Sequence, residues 1–260
     1  MTSSGPPDAA KPRLALTYVA EGSVSYEDTD GATGLLRAGG MEWMRAGKGG
    51  WHAGGAGDPG LTRGFQLWVA LPPRLELGPS ESVYQGAADI PVAGPARVLL
   101  GAYDGANNAI AAPSPINYLA VALKAGEHWH YQPPKGHSVL WLAMGKGRLR
   151  ASDTLERGEI VVFEPGKAAM NFAAVEDAEF VIGSAIPHPY DLVLGCYAVH
   201  TSANALEAGE AQIQAIRHNI IKKGRLSAPL AQDRPSYNSS RLQIGIQPVT
   251  WTRTNYCTRP

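Results

Sequence analysis

Short apolar runs closed by glycine or proline recur from Leu14 to Ala185, and this rhythm points the chain toward antiparallel β structure. Leu14 to Ala20 and Ser23 to Glu27 flank Glu21-Gly22, which reads as a hairpin with glycine at its turn. Asp30-Gly31 marks another reversal; Met41 to Met44 and Gly64 to Leu71 read as strands, the latter ended by Pro72-Pro73. After a stretch richer in proline, glycine and serine, the pattern resumes. Ile116 to Lys124, Ser138 to Ala143, Gly147 to Ala151, Glu159 to Phe163, Ala169 to Ala173 and Glu179 to Ala185 are each compatible with a strand. Strands this short and this closely punctuated predict a sandwich or barrel. A chain of 260 residues holds one large domain of that kind or two smaller ones.

The densest stretch is GMEWMRAGKGGWH, Gly40 to His52. Side chains alternate along a strand, so Met41 and Trp43 share one face and Glu42 and Met44 the other. Gly47, Gly49 and Gly50 permit a tight bend that delivers Trp51 and His52 to a new position. The stretch suits a short strand running into a lined pocket, with His52 as its single histidine. A weak repeat links the halves: Val19-Ala20-Glu21-Gly22 leads to Gly40–Met44 and Gly47-Lys48, while Leu142-Ala143-Met144-Gly145 leads to Gly158–Phe163 and Gly166-Lys167. Two copies of one unit, or chance similarity between glycine-rich β segments, both account for it.

One helix is expected near the end. Leu206, Ile213, Ile216 and Ile220 follow roughly helical spacing, Ser202 or Asn204 can cap its start, and Gly224 can end it. Glu207 and Glu210 early and Lys222, Lys223 and Arg225 late complement the helix dipole. Residues 1–13 read as a flexible leader and residues 226–260 as a poorly ordered tail with one short extended piece at Leu242 to Ile246.

Lysine plus arginine and aspartate plus glutamate each number 23, so the charge balance provides no footprint for nucleic acid or an anionic membrane. Cys196 and Cys257 are too few for a disulfide framework or zinc cluster, and no run is long and apolar enough for a span. A soluble, cytoplasmic protein is expected. The sequence also lacks a Gly-x-Ser-x-Gly elbow, a phosphate-binding P-loop and a Rossmann fingerprint between strand and helix.

GMEWMRAGKGGWH, RGFQLWVALPP (Arg63 to Pro73), INYLAVALKAGEHWHYQPPKGHSVLWLA (Ile116 to Ala143) and GSAIPHPYDLVLGCYAVHTSANALEAGEAQI (Gly183 to Ile213) together resemble the pirin family. The resemblance implies an all-β bicupin: two tandem jelly-roll barrels with a C-terminal amphipathic helix. It divides the chain into an N-terminal cupin domain over 14–73, an inter-domain segment over 74–115 and a C-terminal cupin domain with its helix over 116–225. With its opening strand missing, the first barrel should have an exposed edge near Leu14 to Ala20.

The resemblance further implies iron or another divalent transition metal, held in the first barrel by a His-Pro-His and by a His and a Glu after the glycine bend. His52 matches the histidine after the bend. The Glu position holds Gly54, Gly55 and Ala56, with Asp58 the nearest acid, and the His-Pro-His position falls near Asp8 to Ala10. A single imidazole does not hold a catalytic metal, so the site reads as degenerate, and no cofactor is then expected in this chain. The second barrel has its own candidates. His128 and His130, spaced i, i+2, share a strand face; His137 follows within reach, and Glu164 or Asn171 could add a ligand. An exposed or hydrogen-bonded pair explains those histidines equally, and turn and helix-start structure explains His188 and His200. Family relatives imply two classes of function. One is metal-dependent quercetin 2,3-dioxygenase-type oxidation of a small aromatic, flavonol-like ligand, with Trp43, Met44 and Trp51 lining its apolar pocket; the other is a non-catalytic regulatory cupin that binds a protein partner.

Overall fold

The computed structural model describes residues 8–10, 14–28, 31–195, 198–222 and 247–248. Two compact units divide the chain: Met1–Tyr84 with Tyr190–Pro260, and Gln85–Pro189. The first begins with β1 (Asp8–Ala10), β2 (Leu14–Glu21), β3 (Ser23–Asp28), β4 (Thr33–Arg37), β5 (Met41–Arg45), β6 (Gly50–Ala56) and β7 (Arg63–Val69). A single turn, α1 (Pro73–Glu76), and β8 (Glu81–Gln85) follow. Next come β9 (Val92–Ala93), β10 (Ala96–Leu100), β11 (Ala102–Tyr103), β12 (Ala106–Asn107), β13 (Ile116–Leu123), β14 (His128–Tyr131) and β15 (Val139–Lys146). The second unit is completed by β16 (Arg148–Arg150), β17 (Thr154–Glu156), β18 (Ile160–Val162), β19 (Met170–Ala174) and β20 (Ala178–Ala185). The chain then returns to the first unit with β21 (Val193–Leu194), β22 (Val199–His200), α2 (Ala203–Lys222) and β23 (Gln247–Pro248).

Each unit is built on two sheets. In the first they run β23-β7-β2-β5-β8 and β1-β6-β3-β4; in the second, β18-β15-β20-β13-β10-β9 and β14-β19-β16-β17. The fold is two tandem cupin barrels with one long C-terminal helix, as expected. The sequence repeat has a structural counterpart. β2 pairs antiparallel with β5, and β15 pairs antiparallel with β18, so the two recurring segments are strand neighbours in both barrels.

Four expectations are revised. β2 is no exposed edge: Leu16 lies between Trp43 of β5 and Leu67 of β7, and Leu14 and Leu16 are fully buried. Within the expected leader, Asp8–Ala10 pair with Gly50–His52. The 74–115 segment is not a linker, because β10 pairs with β13 inside the second barrel's larger sheet and the unit boundary falls at Tyr84. The long helix counts with the first unit, where Ile213 lies close enough to Gly49 that an added Cβ would sit 2.8 Å from Ile213 Cγ1. Gly49 has φ +130, so the bend needs glycine for its backbone as well as for that approach.

The helix start matches the expectation: Ser202 Oγ accepts from the Ala205 N–H at 3.2 Å. Ala205, Leu206, Gly209 and Ile213 form its buried stripe, while Glu207 and Glu210 lie beyond its first turn. Gly224, Cys196, Cys257 and Leu242 to Ile246 lie outside the described residues. No described helix is long and apolar enough to cross a membrane.

In the second barrel, alternation along β14 turns Trp129 and Tyr131 inward and leaves His128 and His130 exposed. Trp129 stacks on Phe172 and meets Phe180, giving this barrel an aromatic interior. Gly183 of β20 lies against the buried Trp141 indole, its partner across the ladder, leaving no space for a Cβ. Gly183→Ala is therefore expected to cost about 1–3 kcal/mol through displacement of the indole. A urea titration checks this, and an unchanged midpoint would mean that Trp141 moves freely.

Candidate functional site

The polar groups of the first barrel gather between its two sheets. All of Met41 to Met44 are buried, so both faces of β5 are covered. On the Glu42 face the cross-strand row continues through Thr17 of β2 to Gln66 of β7. Gln66 Nε2 donates to Thr17 Oγ1 at 3.3 Å, and Trp68 Nε1 donates to Gln66 Oε1 at 3.0 Å. On the opposing sheet, His52 of β6 has Asp28 of β3 on one side and Asp8 of β1 on the other, while Tyr26 pairs with Gly54.

The sheets meet at a carboxylate pair. Glu42 Oε1 lies 3.6 Å from His52 Nδ1 and 3.3 Å from the Tyr84 hydroxyl. Asp28 Oδ2 is also 3.3 Å from that hydroxyl, while Asp28 Oδ1 accepts from the Ala32 N–H at 2.9 Å. Asp28 and Glu42 are both buried, whereas the His52 side chain retains 21% of its exposure. Burying a carboxylate is costly unless it is hydrogen-bonded, and Tyr84 serves both. Ser82 is a further hydrogen-bond partner of the phenol. Burial, then the charges of Glu42 and Asp28, push the Tyr84 phenol far above its ordinary value, so it stays protonated. Its ring stacks on Tyr26 with centroids 3.8 Å apart and planes inclined by 9°.

The other sequence candidates lie along these same strands or in the second barrel. Trp43 is buried on the opposite face of β5 from Glu42, and Met44 is buried beside Ala46. Trp51 takes a register position opposite Ala9, next to His52 along β6. In the second barrel His130 Nδ1 lies 2.8 Å from Asn171 Oδ1 on the exposed face, so the His128–His130 strand face points away from the aromatic interior. His137 is buried, with Nδ1 2.8 Å from Ser184 Oγ, which lies 2.7 Å from the Tyr131 hydroxyl. His200, just before α2, pairs with Glu76.

Sequence reasoning had placed Glu42 on its correct strand face but missed its meeting with His52, and it missed Asp28, Tyr26 and Tyr84. The available signal was the alternation that sets Glu42 apart from Trp43. Of the resemblance-derived positions, Gly54 and Ala10, opposite Tyr26 and Gly50, carry no ligating side-chain atom, whereas Asp8, a carboxylate residue, takes the register position opposite His52. Among the described residues, no group of three or more His, Cys, Asp or Glu side chains is placed to hold an ion. Glu42, which approaches His52, and Asp28 both converge on the Tyr84 phenol. Chemically, the centre accepts hydrogen bonds and holds protons.

Comparisons with known proteins agree with the fold. The Pirin family model matches residues 12–69. A pirin-like protein of Caulobacter vibrioides is 32% identical over 189 residues, covering 64% of this chain and 63% of the relative. A Pseudomonas aeruginosa protein provisionally named a quercetin 2,3-dioxygenase is 28% identical over 184 residues, covering 66% of this chain and 64% of the relative. The chain thus spans just under two thirds of the length of these relatives. A crystal structure of quercetin 2,3-dioxygenase from Acinetobacter baumannii superposes with a TM-score of 0.72 at 23% identity, covering 86% of this chain and 80% of that one. The family match over the first barrel, the homologues and the shared two-barrel fold make this chain similar to the pirin family.

Proposed function

We propose that this chain is a pirin-type cupin that binds a small, hydroxylated aromatic ligand in its first barrel without assembling the family's metal centre. Its role is then binding rather than dioxygenation. One observation carries the reading: the two buried carboxylates beside His52 are joined through the Tyr84 hydroxyl, 3.3 Å from each. Transition-metal affinity comes from several converging side-chain ligands, and Ala10 and Gly54 supply none here. The same groups suit hydroxyl donors, because carboxylates accept strong, charge-assisted hydrogen bonds. A flavonol-like ligand combines such donors with a flat ring that can stack, which matches the dioxygenase name of the Pseudomonas relative.

The test measures iron, nickel, copper and zinc per chain in protein purified without chelator, followed by quercetin turnover with each metal added. Sub-stoichiometric metal and no turnover are expected. A metal present at one per chain, with turnover lost in His52→Ala, would overturn the proposal.

A further inference from the structure

We propose that Tyr84 is the built-in occupant of a phenol-binding subsite formed by Tyr26, Asp28 and Glu42, and that this subsite takes a 1,2-dihydroxyaromatic (catechol-type) ligand when Tyr84 withdraws. The inference rests on the ligand-binding reading of the first barrel. The Tyr84 side chain adopts the pose such a ligand needs. Its ring lies flat on Tyr26, with centroids 3.8 Å apart, and its hydroxyl sits 3.3 Å from both Asp28 Oδ2 and Glu42 Oε1. Tyr26 is held from behind: an added Cβ on Gly34 would be only 2.5 Å from the Tyr26 hydroxyl oxygen, so the ring rests against bare backbone. This platform is fixed before any ligand arrives.

Tyr84 fills the subsite imperfectly. A phenol has one hydroxyl proton, so it can donate to only one of the two carboxylates at a time. A catechol brings two adjacent O–H donors, one for each carboxylate, on a ring of the same width. Charge-assisted bonds of this kind are among the stronger ones available. The occupant can also leave at modest cost. Tyr84 lies on β8, the edge strand of its sheet, and is only half-buried. An edge strand has ladder bonds on one side only, so it peels away more easily than β2 would. Tyr84 thereby limits access, and the ligand competes with it for both the ring platform and the acceptors.

Calorimetric titration of full-length protein in chelator tests this with catechol, phenol and 1,2-dimethoxybenzene. Tyr84→Ala is expected to bind catechol about tenfold or more tightly than the wild type, with phenol weaker and dimethoxybenzene not bound. Adding Glu42→Gln to Tyr84→Ala should erase most of that gain. Equal catechol affinity in Tyr84→Ala and the wild type, or a gain that survives Glu42→Gln, overturns the proposal. If Tyr84→Ala gives no cooperative melt, tyrosine-labelled wild type serves: catechol should shift the Tyr26 and Tyr84 ring resonances and dimethoxybenzene should not. No shift at saturating catechol overturns it. These readouts need neither metal nor turnover, so an active metalloenzyme would defeat the functional proposal while leaving this one standing or falling by itself.

Discussion

Glu76→Ala is expected to destabilise the first unit by about 3–5 kcal/mol, the range for removing one partner of a buried charged network. Glu76 is 4% exposed at the end of α1. Its Oε2 accepts from the Thr201 N–H at 2.7 Å and lies 3.2 Å from His200 Nδ1, and its Oε1 accepts from the Thr201 hydroxyl at 2.8 Å. One carboxylate thus fastens the approach to α2. Alanine would strand those donors in a site where His200 is fully buried, and water cannot easily reach them. Glu76→Gln keeps one carbonyl acceptor and should cost roughly half as much. Urea midpoints distinguish the two, and a loss below about 1 kcal/mol for Glu76→Ala would mean the network is dispensable.

The same network makes stability depend on pH. Burial pushes His200 below its ordinary value of 6.5, with Glu76 pulling it partly back, and burial likewise lowers His137. The unfolded chain takes up these protons as pH falls through 6.5, while the folded chain resists them. The stability these histidines contribute is therefore complete above 6.5 and is lost as pH falls toward their depressed folded values. Without Glu76 only the smaller pull of Glu210 still raises His200, so the melting temperature of Glu76→Ala should fall further than that of wild type between pH 7.5 and about pH 5.

Much of the fold was legible because local signals agree with it. The period-two runs and their glycine or proline stops correspond to β2, β5, β7, β13, β15 and β20, and Ser202 caps α2 as its position suggested. What failed was non-local. Asp8-Ala9-Ala10 has no strand signature of its own and is extended because β6 offers it a pairing edge. The edge assigned to Leu14 to Ala20 followed from treating that leader as absent and from a register with β7 that no local pattern reveals. The candidate site divides in the same way. His52 stood out through its resemblance-bearing motif. Asp28, Glu42 and Tyr84 come from three strands whose meeting is set by barrel closure, so one sequence read alone gives each of them the look of an ordinary surface residue.

In the second barrel, Phe172→Ala is expected to cost about 3–5 kcal/mol, the range for truncating a fully buried aromatic. Phe172 is 1% exposed, with its ring centroid 5.8 Å from Trp129 and 5.9 Å from Phe180. Trp129 in turn stacks with Tyr131 and donates from Nε1 to the Tyr103 hydroxyl at 2.8 Å, which fixes its ring. Those neighbours cannot easily close over a ring-sized hole. Phe172 is paired with Trp129 across the ladder, and Phe180 is held between β13 and β15, so neither backbone is free to collapse inward. Val162→Ala is the control: at 58% exposure on the edge strand β18, its loss should stay within about 0.5 kcal/mol. Urea titrations of both variants check the contrast. A Phe172→Ala loss no larger than that of Val162→Ala would show that this interior repacks around the missing ring.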